Sequence, residues 1–271
     1  MNYSVSELEN ISKNVRLGIL EAVYSAQSGH PGGALSCADI LTDLYFNEMN
    51  IDPKNPKMEN RDRFVLSKGH ASPAIYSVLA NRGYFPVEDL KTFRKIDSYL
   101  QGHPDMKKVP GVDMTTGSLG QGLSVANGMA LAAKLDQKDF YVYVVMGDGE
   151  IEEGQVWEAA MSAAHYKLNN VIAFVDFNGL QIDGAVKDVM NVTPIKEKFE
   201  FFGWNTLEIN GHNFEEISNA VKKAKESVDK PTVIIAHTTK GKGISFMENQ
   251  AGWHGKAPND DEYKTALECL K

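Results

Sequence analysis

The feature that most constrains this chain is a pair of short apolar runs, each closed by a polar turn. Residues 140–145 run into Met146-Gly147-Asp148-Gly149-Glu150, and residues 171–175 lead to Asn178-Gly179-Leu180. Continuous apolar runs, rather than alternating ones, mark strands buried on both faces, which is the condition of a parallel sheet. In an open α/β sheet the ligand crevice lies beyond the carboxyl ends of such strands, so Asp148 and Asn178 are expected to enter one site from neighbouring strands. A carboxylate and an amide oxygen make a hard-cation set. With water, a backbone carbonyl and phosphate oxygens completing the shell, the ion to expect is Mg²⁺ or Ca²⁺ rather than zinc. Such an ion implies a phosphorylated cofactor or substrate. Gly147 and Gly149 let main-chain N–H groups approach a phosphate, and a helix is expected over 150–165 with its positive end toward it.

The rest of the chain alternates between helical and strand periods. Ser6-Glu7-Leu8-Glu9 is a capping-box pattern, opening a helix with Leu8, Ile11, Val15, Ile19 and Val23 on one face that closes near Gly29. A second helix is expected from Ser36, a short strand at 63–66, and helices at 73–81 and 87–95. The Pro/Gly/His-rich stretch 101–120 reads as an irregular loop, long enough to suggest function, and 119–135 as an Ala- and Gly-rich helix packed closely in a core. A strand at 204–209, a helix at 214–227 and a strand at 232–237 follow. This order predicts a single α/β domain with a doubly wound, mainly parallel sheet flanked by helices.

Gly147-Asp148-Gly149 with Asn178 resembles the fingerprint of the thiamine-diphosphate-binding fold. The resemblance implies that Asp148, Asn178 and the backbone carbonyl of Leu180 hold Mg²⁺, with Ca²⁺ as a substitute, on the diphosphate of thiamine diphosphate. The flanks are similar to transketolase: Ser28-Gly29-His30-Pro31-Gly32-Gly33, Leu66-Ser67-Lys68-Gly69-His70-Ala71, Gln101-Gly102-His103-Pro104, Thr115-Thr116-Gly117-Ser118-Leu119-Gly120-Gln121-Gly122 and Trp253-His254-Gly255 follow in family order over essentially the whole chain. A member of that family is expected to transfer a two-carbon ketol unit from a ketose phosphate to an aldose phosphate, as in the pentose phosphate pathway.

The same resemblance assigns roles. His70 and His254 would contact the diphosphate or reacting oxygens, while His30 and His103 would hydrogen-bond the donor sugar. His30 and His254 are candidates for proton transfer to the acceptor aldehyde oxygen. Gly117-Ser118-Leu119 and Gly149 would lie against the cofactor, with Ser118 standing where the family often has proline, and Glu153 would lie at a subunit interface. The family's pyrimidine-binding and C-terminal domains have no counterpart here, so residues 1–271 read as a single diphosphate-binding domain. The missing domains, with the glutamate that activates the pyrimidine, are expected on a partner subunit in an α₂β₂ assembly; the other reading is a piece of a longer protein.

Read on their own, the histidines divide. His30, His70, His103 and His254 sit in Gly-flanked loops where a ligand can approach, whereas His165, His212 and His237 read as structural. Lys240-Gly241-Lys242-Gly243 lacks the phosphate-loop pattern, yet its lysines follow a strand ending on the expected ligand edge, which predicts proximity to the cofactor and a loop that orders on binding. Glu152 and Glu158 read as helix-surface charge.

Composition narrows the alternatives. A net charge of −8 without a basic run argues against nucleic acid or anionic membranes as partners, so anionic sugar phosphates must be drawn by local groups. Cys37 and Cys269 form no disulfide framework or zinc pattern, Met1-Asn2-Tyr3-Ser4 opens a polar helix without a signal-like apolar core, and a cytoplasmic location is expected. No strand is followed by the glycine fingerprint of a nicotinamide dehydrogenase. A deoxyxylulose-phosphate synthase or the α chain of a ketoacid dehydrogenase would share Asp148 and Asn178 but not all four histidine loops. A transketolase-like enzyme acting on another sugar, or a noncatalytic regulatory homologue, would keep them.

Overall fold

In the computed structural model, which describes residues 3–271, alternate residues of each buried strand feed opposite layers of one sheet. The strands are β1 (Arg63–Leu66), β2 (Val142–Gly147), β3 (Val171–Phe177), the short hairpin β4 (Leu180–Gln181) and β5 (Gly184–Ala185), β6 (Asn205–Asn210) and β7 (Thr232–His237). The five longer strands pair in the order β1-β2-β3-β7-β6, every pair parallel, and the hairpin is a separate antiparallel pair. Tyr143, Val145, Ile172, Phe174 and Ile234 pack toward α1 (Val5–Ala26), α2 (Pro31–Ser36), α3 (Ala38–Asp43) and α4 (Ser72–Arg82). Val144, Met146, Ala173, Val175 and Val233 pack toward α5 (Gly122–Leu135) and α6 (Gly154–His165). Of the remaining helices, α7 (Val186–Val189) follows the hairpin, α8 (Ile195–Phe201) joins the second layer, and α9 (Phe214–Lys225) and α10 (Asp260–Cys269) join the first. With both faces covered the sheet is doubly wound, as the apolar runs required. Among the described residues no helix is long and apolar enough to cross a membrane.

Several boundaries differ from the sequence expectation, each for a local reason. The capping box of α1 belongs to Ser4, not Ser6: Ser4 Oγ accepts from the Glu7 N–H and Glu7 Oε2 accepts from the Ser4 N–H. Met1 and Asn2 lie outside the described residues. The helix closes at Gln27 in a left-handed conformation, ahead of Gly29. The next helix starts at Pro31 rather than Ser36, because proline is suited to a first turn; it breaks at Cys37, resumes in α3 and ends in a π-helical turn, Leu44–Glu48. The segment expected as a helix over 87–95 is a 3₁₀ helix, Val87–Thr92. Most consequential is the segment after Asp148. In place of one helix over 150–165 there is a 3₁₀ turn, Glu150–Glu152, an extended Glu153, and α6 only from Gly154.

Candidate active site

The carboxyl ends of β2 and β3 lie side by side, with Gly147 paired to Asp176, and the turns beyond them wall a cavity of about 260 Å³. Asp148, Asn178 and Leu180 all line it. Asp148 is buried, its Oδ1 accepting from the Gly149 N–H (2.9 Å) and its Oδ2 from the Gly179 N–H (2.6 Å). Burial and the neighbouring Asp176 charge push its carboxyl up to about 6. Asn178 Oδ1 accepts from the Leu180 N–H at 3.1 Å, and the Leu180 carbonyl accepts from Lys240 Nζ at 3.2 Å. A carboxylate, an amide oxygen and a carbonyl thus converge, and among the described residues no group of three His, Cys, Asp or Glu could hold a metal. That donor chemistry suits a hard cation and not zinc.

Glu150 explains the broken helix. Its buried carboxylate turns back, Oε1 accepting from Ser67 Oγ and the Gly120 N–H, Oε2 from the Gly147 N–H at 3.0 Å. It therefore ties the glycine loop before α5 to the end of β2. The expectation that the Gly147 N–H faces a phosphate is corrected here, since Glu150 takes it.

Three imidazoles line the same cavity. His30, His70 and His254 have ring centroids 5.2, 5.4 and 5.2 Å apart for the pairs His30–His70, His30–His254 and His70–His254. Burial, reinforced by Arg94, lowers His30 to about 4; burial and Lys240 lower His254 to about 3; burial and Lys68 depress His70 further. All three are neutral near pH 7. Lys240 Nζ donates to His254 Nδ1 at 3.0 Å, so the His254 proton sits on Nε2. His30 Nδ1 is buried without a partner, an unmet polar atom at the site of an expected ligand.

His103, by contrast, is exposed and does not line the cavity, although it packs on the loop that does: a Cβ on Gly117 would lie 3.1 Å from its ring. Gly117, Leu119 and Gly149 line the cavity; Ser118 is exposed and is not among the lining residues. Glu153 is also exposed. Of the two loop lysines only Lys240 reaches the cavity, buried, with its ammonium lowered to about 8 by burial and by Lys68; Lys242 lies at a different surface pocket. Glu152 is not free surface charge, since it accepts from Gln181 at 2.7 Å. His165 and His237 are exposed at element ends.

Sequence reasoning did not assign Lys68, Asp176 or Glu150. Lys68, which lines the cavity, forms a buried ion pair with Asp176, with Lys68 Nζ also on the Gly33 carbonyl at 2.7 Å and the Ser36 and Thr238 hydroxyls on Asp176. Burial opposes both charges, but each partner stabilises the other, keeping the carboxyl below and the ammonium above their ordinary ranges. A lone carboxylate inside the apolar run of β3 was the available signal.

A parallel sheet whose carboxyl edge sets acidic and amide oxygens against a cluster of imidazoles defines the thiamine-diphosphate-binding class of domain. The chain belongs to the transketolase family: residues 8–270 match the family described as "Transketolase, thiamine diphosphate binding domain". It is 45% identical to the 6-deoxy-6-sulfo-D-fructose transketolase subunit of a Clostridium species, over 98% of this chain and 96% of that one. It is also 45% identical to an apulose-4-phosphate transketolase subunit of Phocaeicola vulgatus, over 97% and 93%. The crystal structure of transketolase from Campylobacter jejuni superposes with a TM-score of 0.93 at 39% identity, covering 99% of this chain and 43% of that one. Against human transketolase, 42% identical, the chain likewise covers 40% of the relative's length.

Proposed function

We propose that this chain is the diphosphate-binding subunit of a two-chain transketolase, moving a two-carbon ketol unit from an anionic ketose to an aldose. The strongest support is the gathering of two donor sets on one cavity, Asp148, Asn178 and Leu180 together with His30, His70 and His254. The oxygens would hold Mg²⁺, or Ca²⁺ in its place, and through it the diphosphate of thiamine diphosphate. When bound, that cofactor supplies the carbanion chemistry of carbon–carbon cleavage and formation. The protein's own groups orient and move protons. His70 would donate to a diphosphate oxygen, and His254, its proton fixed on Nε2 by Lys240, would present a donor to a reacting oxygen. The unmet His30 Nδ1 is suited to a sugar hydroxyl or carbonyl, with His103 at the rim meeting the same sugar.

The names of the 45%-identical relatives, both subunits and both matched over nearly their full lengths, support a second chain; that chain would carry the pyrimidine-binding and C-terminal domains, in an α₂β₂ assembly. Cysteines that form no disulfide are compatible with a cytoplasmic setting. The same names widen the substrate panel to 6-deoxy-6-sulfofructose and apulose 4-phosphate beside the pentose phosphates. The test is ketol transfer to ribose 5-phosphate from xylulose 5-phosphate and from those donors, with thiamine diphosphate and Mg²⁺, by this chain alone and in the complex isolated from its cells. Transfer only by the complex is the expected outcome. Transfer by the chain alone refutes the division of labour, and a complex that binds cofactor without transferring from any donor makes the chain a regulatory homologue.

A further inference from the structure

Lys240 reaches the cavity from the connection that follows β7, and two residues of that connection, Thr239 and Lys242, are anchored to one network away from the cavity. The Thr239 N–H donates to His212 Nε2 at 2.8 Å. His212 Nδ1 meets Asp39 Oδ2 at 2.7 Å, and Asp39 is held by Arg16 through Nη1 (2.8 Å) and Nη2 (2.7 Å) and by the Ser12 hydroxyl. Arg16 then returns to the loop, its Nε donating to the Lys242 carbonyl at 3.1 Å. Asp39 and Arg16 come from α3 and α1, so the network ties the loop to the rigid first layer. The residue after Lys240 leaves no slack: Gly241 has φ 78, and a Cβ there would lie 2.4 Å from the Met247 carbonyl oxygen.

We propose that His212 is a positioning residue for Lys240, fixing the loop so that the ammonium lands between the Leu180 carbonyl and His254 Nδ1. The chemistry requires imidazole. Asp39 accepts only, and the Thr239 N–H donates only, so the bridging group must donate from one end and accept at the other. A neutral imidazole protonated on Nδ1 does both across a rigid ring. A single layer of contacts therefore links the Arg16–Asp39 pair to the tautomer of His254, through His212, Thr239 and Lys240. The inference rests on the reading that this cavity takes thiamine diphosphate, because its consequence is read at that ligand.

The experiment titrates thiamine diphosphate with Mg²⁺ into the assembled complex, following quenching of tryptophan fluorescence, for the wild type, His212→Ala, Lys240→Met and the double variant. His212→Ala is expected to weaken cofactor binding about tenfold, the size of one lost charge-assisted contact. The double variant is expected to bind no more weakly than Lys240→Met, because His212 acts through that lysine. Imidazole in the buffer should restore binding to His212→Ala and not to Lys240→Met, since a surface pocket of about 340 Å³ leads to the His212 position. His212→Phe, which keeps the ring volume without either hydrogen bond, should match His212→Ala and serves in its place if the smaller side chain fails to fold. Wild-type affinity in His212→Ala or His212→Phe, or additive losses in the double variant, overturns the inference alone. A wild-type complex that does not bind thiamine diphosphate overturns the functional reading and the inference with it.

Discussion

Asp148 shows how single residues here set burial against charge. Its carboxylate is almost fully enclosed near the charge of Asp176, and two backbone N–H groups and the Lys240 charge only partly offset the loss of water. A cation beside it would favour the ionised form. Asp148→Asn keeps the size and one acceptor oxygen but removes the charge, so Mg²⁺-dependent binding of thiamine diphosphate should weaken by about 1.5–3 kcal/mol, roughly 10- to 100-fold, in an isothermal titration. Unchanged affinity would move the metal away from this carboxylate. Asp148 and Asn178 were legible because each interrupts or closes an apolar run. Lys68 and Asp176 were not, although both lie near recognised motifs, because their meaning is in a contact between positions 108 residues apart. Nothing local distinguishes a lysine that neutralises a buried carboxylate from one in a solvated loop.

The elements repeat that division. The five strands of the sheet were legible to within a residue or two, since burial on both faces favours apolar runs, but the short β4–β5 hairpin was read as loop, and the break at Glu153 was hidden because Glu150 is drawn back by Ser67, Gly120 and Gly147 from three other segments. The end of α3 carries a testable instance of the same effect. Burial pushes the Asp43 carboxyl up to about 7 despite the Ser218 hydroxyl, and its Oδ2 has no hydrogen-bond partner. A folded-state value above the unfolded one means that the native state binds this proton more tightly, so the contribution of Asp43 to stability is fully present below the unfolded carboxyl's range and is lost as pH rises through about 7. Asp43→Asn escapes that loss. Its stability relative to wild type should therefore rise by roughly 2–3 kcal/mol between pH 5 and pH 8, measured as the difference in urea-unfolding free energies at the two values. A difference independent of pH would mean that Asp43 is ionised throughout.

Across the molecule, the cavity is continuous with an apolar rim. Leu119 and Ile182 line the cavity while remaining 37% and 69% exposed, and Val189 and Met190, just past the β4–β5 hairpin, are 42% and 59% exposed. Val189 reaches back to the hairpin at Gly184, so these side chains belong to one edge and not to scattered surface. Exposed apolar groups gathered beside a ligand cavity mark an interaction face, and a second chain that completes the site would cover them. An acidic side chain there would be desolvated without a partner on association, which costs several kcal/mol, yet in the free chain it would stay in water. Ile182→Asp should thus leave the thermal unfolding of this chain unchanged while weakening its association with the partner subunit by at least about tenfold, as read by sedimentation velocity over a concentration series. The cofactor binding proposed for Asp148 and Asn178 should survive, because their hydrogen bonds to this segment are to the backbone N–H groups of Gly179 and Leu180, ahead of the hairpin tip. Undiminished association would place the partner on a different face and leave the apolar edge to the sugar substrate.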